Sequence, residues 1–219
     1  MKAMILAAGE GKRMRPLTRN LPKPLLRLKE KTLIDHHVED LQNAGFSEVV
    51  INLHYLPEMI RVHFQKRTDL SIKISFSEEF ELLETAGGIK KALTILGNDP
   101  FAVISGDVYT SYDFRQLRNL RLGEKKAHLV MVDNPPHHKG GDFSIDSCGL
   151  LGLGGDKLTW GSIGVFKPGL FDNVGSGRCT LRTLFDTAIP SGEISGEYYD
   201  GFWSDVGTPE RLEQLRKMQ

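Results

Sequence analysis

Cysteine is nearly missing from this chain: Cys148 and Cys179 are the only two among its 219 residues. Neither belongs to a CxxC or Cys/His pattern, which excludes a structural zinc site and a disulfide framework. Net charge is missing too, with 28 Lys+Arg set against 28 Asp+Glu. A domain that lives on phosphate backbones carries a basic excess, so no nucleic-acid partner is expected. Long apolar runs are also absent. The first one ends at Ala8, and Glu10, Lys12, Arg13 and Arg15 follow at once. That is too short for the core of a signal peptide, and nothing reaches the roughly 18 apolar residues of a membrane span. A cytoplasmic protein with no membrane partner is the expectation. Repeats and low-complexity tracts are lacking, and 40% hydrophobic with 26% charged residues is ordinary globular composition.

What is present is alternation. Residues 3–8 form an apolar run suited to a strand buried on both faces, and 33–44 have helical spacing with Gly45 as a stop. Further strands are expected at 49–53, 72–76, 101–105 and 127–132, with helices at 59–64 and 87–96 between them. Strands alternating with helices at these distances predict an α/β sheet with crossovers. Residues 134–161 change texture, rich in Pro, Gly, His and Asp, and read as a loop with small hairpins. Regularity returns with a strand at 163–166, a helix at 181–189, a short strand at 202–206 and a last helix from Pro209. One domain over 1–219 is expected, with a change of texture at about residue 130.

The chemistry lies in the loops. The first strand opens into Gly9-Glu10-Gly11-Lys12-Arg13-Met14-Arg15-Pro16-Leu17-Thr18. A dinucleotide fingerprint fails because Met14 holds the third glycine position, and a P-loop fails at Leu6 and Arg13. What remains is a glycine-containing turn with three nearby cations at the end of a strand, where open α/β sheets bind ligands. Lys23 follows between Pro22 and Pro24, a stiff flank that aims its ammonium. Asp107 ends an apolar strand after Gly106. Asp205 ends another, ahead of a helix that Thr208 and Pro209 are suited to start. Asp35-His36-His37 is expected on a helix surface, and Glu78, Glu79, Glu81 and Glu84 as a solvated acidic rim.

Gly9-x-Gly11-x-Arg13-Met14-x-Pro16-Leu17-Thr18 with Lys23-Pro24 resembles the signature of the sugar-1-phosphate nucleotidyltransferases. The resemblance runs on through Leu83-Glu84-Thr85-Ala86-Gly87-Gly88, Ser105-Gly106-Asp107 and Phe202-Trp203-Ser204-Asp205-Val206-Gly207-Thr208. It implies a Rossmann-like three-layer α/β fold with a mixed, mostly parallel central sheet and a small substrate-side β lobe. It also implies Mg²⁺ as cofactor, with UTP and a sugar 1-phosphate as substrates. Arg13 and Lys23 would then be catalytic. Ala8, Gly9, Gly11, Lys12, Arg13, Lys23, Thr85, Gly87, Gly88 and Ser105 would bind the nucleotide, and Asp107 and Asp205 the metal. Asp142 and Trp203 would face the sugar. Within the one domain, the part about 1–130 would bind the nucleotide and the part about 131–219 the sugar; the oligomeric state stays open, a monomer included.

Within the family, residues 132–138, 141–143 and 195–199 are similar to compact uridylyltransferases of cell-wall recycling. Three departures stand out: Ala86 where a glycine is usual, Ser105 where an asparagine is expected, and the order Gly161-Ser162. Guanylyl transfer to mannose 1-phosphate and thymidylyl or uridylyl transfer to glucose 1-phosphate stay open. So does a regulatory protein that senses a nucleotide sugar without catalysis.

Overall fold

The computed structural model describes residues 1–218. Strand β1 (Lys2–Leu6) opens the chain; β2 (Arg27–Leu28) and β3 (Lys31–Thr32) make a small hairpin before helix α1 (Leu33–Asn43). The chain then runs through β4 (Glu48–Leu53), α2 (Pro57–Gln65), β5 (Lys73–Glu78), α3 (Glu84–Leu96), β6 (Phe101–Ser105), β7 (Val108–Thr110) and α4 (Arg115–Asn119). Next come β8 (Ala127–Val132), β9 (Ser144–Ile145), β10 (Leu151–Gly152) and β11 (Thr159–Phe166). The last elements are α5 (Leu181–Ala188), β12 (Ile194–Tyr198), β13 (Trp203–Asp205) and α6 (Pro209–Lys217).

Seven strands form the central sheet in the order β12-β8-β11-β6-β1-β4-β5. All pairs are parallel except those that β11 makes with β6 and β8. The expected mixed, mostly parallel three-layer α/β fold is therefore what the chain adopts. Its central strands are legible because they are buried on both faces; every residue of β4 and β8 is buried. One apolar cluster, including Val38, Leu41, Ile51 and Ile104, fills the α1 and α2 side. A second, including Ile89, Leu129, Phe166 and Phe185, fills the α3 and α5 side.

A third, smaller cluster joins the two ends of the chain. Met14, Leu26, Leu28 and Leu33 pack with Val206, Leu212 and Leu215, so the first loop is anchored on α6. Residues 134–161 hold the expected small hairpin, β9 with β10.

Two expectations need correcting. Asp35 and His37 are not on a helix surface: they are 5% and 2% exposed. Asp35 closes a capping box with Thr32 and pairs with His63 of α2 and with Arg67 just beyond it, while His37 packs edge-on against Phe114. Nor is Glu79 part of a solvated rim, being 2% exposed. In both cases a polar residue is buried against a partner from a distant element, which local spacing does not record.

Candidate active site

A cleft of about 380 Å³ opens at the carboxyl ends of β1 and β6. The strand stops at Leu6, two residues earlier than the apolar run, because Ala7 and Ala8 leave the sheet to form the cleft wall. Ala8, Gly9, Gly11, Lys12, Arg13, Lys23, Thr85, Ser105 and Asp107 all line it. Gly87, Gly88, Asp142, Trp203 and Asp205 do not, although Gly207 beside Asp205 does.

The turn after β1 is held from below. Gly11 sits at φ +60°, a left-handed conformation, and starts the short 3-10 turn Lys12–Met14. Its carbonyl accepts a 2.7 Å hydrogen bond from the fully buried Thr18 hydroxyl. Met14, fully buried, fixes the other end of the turn in the third apolar cluster. Arg13 is thereby left exposed at the cleft, whereas Lys12 pairs with Glu10 at 2.8 Å. Gly9 has no atom within 4 Å of where a Cβ would stand, so the backbone is open to an approaching ligand.

Lys23 reaches Asp107 at 2.5 Å, and Ser105 donates to the other oxygen of Asp107 at 2.6 Å. Burial pushes the Asp107 carboxyl up, but the charge of Lys23 and the hydrogen bonds from Lys23 and Ser105 outweigh it and leave it below its ordinary value. Strand β13 pairs antiparallel with β7, placing Asp205 opposite Val108, and the Val206 N–H donates to the Asp107 carbonyl at 2.7 Å. The two aspartates are therefore brought together from sequence positions 98 residues apart by one short ladder. Asp205 is held by Arg211 and lies 3.0 Å from His137. Two carboxylates with no neighbouring thiol suit a hard ion such as Mg²⁺, which draws most of its ligands from phosphate and water. Among the described residues no group of three His, Cys, Asp or Glu offers a closed metal cage.

The opposite wall is the loop into α3. Leu82, Glu84 and Thr85 line the cleft. The helix begins at Glu84 rather than Gly87, since its first turn is docked on the segment before α5. There the Cys179 carbonyl accepts from the Ala86 and Gly87 N–H groups at 2.9 and 3.0 Å, and the Thr85 hydroxyl oxygen accepts from Leu181 N–H at 2.7 Å. Gly87 is buried against this segment; a Cβ would come within 2.7 Å of the Gly177 carbonyl. Glu84 has φ +62°, a region that disfavours any side chain, and is tethered by Arg178 at 2.7 Å.

Asn52, which the sequence did not flag, and Glu79, expected on a solvated rim, join these walls. Asn52 accepts from the Ala7 N–H at 2.7 Å and donates to Glu79 at 2.7 Å; Glu79 in turn accepts from the Leu83 N–H at 3.0 Å. Gly88 lies against this pair, its absent Cβ 2.5 Å from Glu79 Oε1. An asparagine interrupting the apolar run of β4 was the available signal.

On the far side, Asp142 accepts from Trp160 N–H at 2.9 Å and pairs with His138 at 3.1 Å. Trp203 donates its indole N–H to the Gly161 carbonyl at 2.9 Å, where a Cβ on Gly161 would stand 3.3 Å from that nitrogen. Both are half-buried.

Residues 2–144 match the family model described as nucleotidyl transferase. The chain is 41% identical to N-acetylmuramate alpha-1-phosphate uridylyltransferase from Neisseria meningitidis serogroup B, over 100% of this chain and 98% of that one. It is 31% identical to mannose-1-phosphate guanyltransferase from Aspergillus oryzae, covering 95% of this chain but 61% of that longer protein. Among solved structures, a putative glucose-1-phosphate thymidylyltransferase from Bacillus anthracis superposes with a TM-score of 0.85 over 100% of this chain and 96% of its own, at 19% identity.

Proposed function

Because the chain belongs to the nucleotidyl transferase family and is a sugar-1-phosphate nucleotidyltransferase, we propose that it moves UMP from UTP to N-acetylmuramic acid 1-phosphate. The products are UDP-N-acetylmuramic acid and pyrophosphate, a step of peptidoglycan recycling. The observation that carries this reading is the 41% identity that spans both chains almost end to end.

In this mechanism an oxygen of the sugar phosphate attacks the α-phosphorus of UTP in line. A new P–O bond forms as the bond to the bridging oxygen breaks, and pyrophosphate departs with that electron pair. The acceptor is already an anion, so no protein nucleophile is required. Catalysis is positioning and neutralisation of charge. The N–H groups of the 9–14 turn and Arg13 bind the leaving pyrophosphate, while Lys23 bridges toward the reacting phosphates. The uracil sits against the Leu82–Thr85 wall. Asp107 and Asp205 are the residues that would hold Mg²⁺, which offsets repulsion between the approaching phosphates when bound. Asp142 and Trp203 take the sugar side, and loop 134–143, with His137, His138 and Lys139, faces the lactyl carboxylate.

The test is pyrophosphate release from a matrix of nucleoside triphosphates and sugar 1-phosphates. UTP with N-acetylmuramic acid 1-phosphate should lead, exceeding N-acetylglucosamine 1-phosphate in kcat/KM by at least about tenfold, the worth of one contact of ~1.4 kcal/mol. A preference for GTP with mannose 1-phosphate, or dTTP with glucose 1-phosphate, would overturn the assignment of substrates.

A further inference from the structure

Arg211 lies six residues beyond Asp205 on the first turn of α6 and folds back to reach it. One guanidinium nitrogen contacts both oxygens of Asp205, at 2.6 and 2.8 Å, and the two side chains are 15% and 21% exposed. The path runs over Gly207. A Cβ there would stand 1.9 Å from the Arg211 guanidinium and 2.9 Å from Asp205 Oδ2. Gly207 is not among the glycines with positive φ, so its missing side chain supplies space rather than an unusual backbone. The helix that carries Arg211 is itself fixed. Thr208 caps it, Pro209 starts it, and Leu212 and Leu215 are buried in the third apolar cluster. Lys23 does for Asp107 what Arg211 does for Asp205. Each of the two aspartates thus carries a built-in cation.

A divalent ion at an oxygen of Asp205 competes with this contact and meets a fixed positive charge at close range. We infer that Arg211 is an internal counterion that suppresses the affinity of Asp205 for a free divalent ion. The ion is then taken up together with an anionic nucleotide, whose phosphates give the displaced guanidinium a new partner. Arg211 acts through Asp205 and is a positioning residue. The inference rests on Asp205 being a metal ligand, as proposed above.

The experiment is a titration with Mn²⁺, without and with UTP, followed by the electron paramagnetic resonance signal of the free ion. It compares the wild type with Arg211→Gln, Gly207→Ala and Asp205→Asn. Gly207→Ala keeps the arginine but fills its path, so it remains decisive if Arg211→Gln folds poorly. Both variants should bind Mn²⁺ alone at least about tenfold more tightly than the wild type, the effect of one charge contact of ~1.4 kcal/mol. The additional tightening by UTP should shrink in both. If Asp205→Asn leaves Mn²⁺ binding unchanged with UTP present, the metal-ligand reading fails and the inference falls with it. If Asp205→Asn weakens binding while the other two variants bind no more tightly than the wild type, the counterion inference alone is overturned.

Discussion

Asn52 and Glu79 meet at 2.7 Å beneath the cleft, and through them the two walls of the cleft hold each other in place. The Asn52 oxygen is spent on Ala7, where the chain leaves β1 for the first loop, and the second Glu79 oxygen on Leu83, where the opposite loop begins. Both residues are almost wholly buried, so neither can exchange its partner for water. Asn52→Leu would leave the Ala7 N–H and Glu79 Oε1 unpaired and should cost about 2–4 kcal/mol in urea unfolding. Glu79→Gln keeps an acceptor for Leu83 and should cost less. Equal losses in the two variants would show that the brace has no such division of labour.

Gly88 is a consequence of the same brace. Its Cβ would stand 2.5 Å from Glu79 Oε1 and 3.0 Å from Asn52 Nδ2, so Gly88→Ala should destabilise by about 1–3 kcal/mol through overpacking. Differential scanning calorimetry would measure this directly. An unchanged Tm would mean that the pair yields freely.

Lys23 and Arg15 are both cations near the first loop, but only Lys23 lines the cleft. Its side chain is 13% exposed and its ammonium is held on Asp107, with proline on either side. Lys23→Ala should lower kcat/KM by on the order of a hundredfold, the scale of one lost electrostatic contact to a transition state. Arg15→Ala should stay near wild type. Comparable losses would remove the distinction.

Asp107→Asn and Asp205→Asn should each reduce turnover by on the order of a hundredfold or more while keeping the wild-type circular dichroism spectrum. The Asp107 carboxyl, held below its ordinary value by Lys23 and Ser105 despite burial, is ionised throughout the neutral range. Near wild-type rates for both variants at saturating Mg²⁺ would refute their assignment.

Acid should weaken the fold through a buried histidine. Burial lowers His37 to about 4, so the folded protein keeps it neutral while the unfolded chain binds a proton below about 6.5. Its contribution is fully present above the unfolded value and is lost as pH falls from there toward 4, in total about 3 kcal/mol. His128 is buried and shifted in the same direction, so His37→Gln should flatten only part of that slope. Urea unfolding at pH 7 and pH 4.5 would measure the difference. An unaltered slope in the variant would assign the acid sensitivity elsewhere.

The central strands could be read from the chain because a buried strand needs an unbroken apolar run, and such runs are visible in 49–53, 101–105 and 127–132. The first loop was legible for a different reason: a left-handed Gly11, a buried Thr18 and a flanked Lys23 are each required locally, so residue type and spacing carry the information. What could not be read were contacts between polar residues far apart in sequence. Asn52 with Glu79 and Asp35 with Arg67 join different elements, and no periodicity marks them. The Arg211–Asp205 contact is short in sequence but depends on the space left by Gly207, which only the fold reveals.

The meeting of Met14 with Leu212 and Leu215 bears on how the protein is made. The ribosome delivers the 9–14 turn long before the helix that supports it. A nascent chain can pair β1 with β4 long before α6 exists, yet its first loop then has only part of its footing. Affinity for nucleotide should therefore appear in one step, only once α6 has cleared the exit tunnel. Stalled chains ending before Pro209 would bind poorly even with every cleft-lining residue already translated.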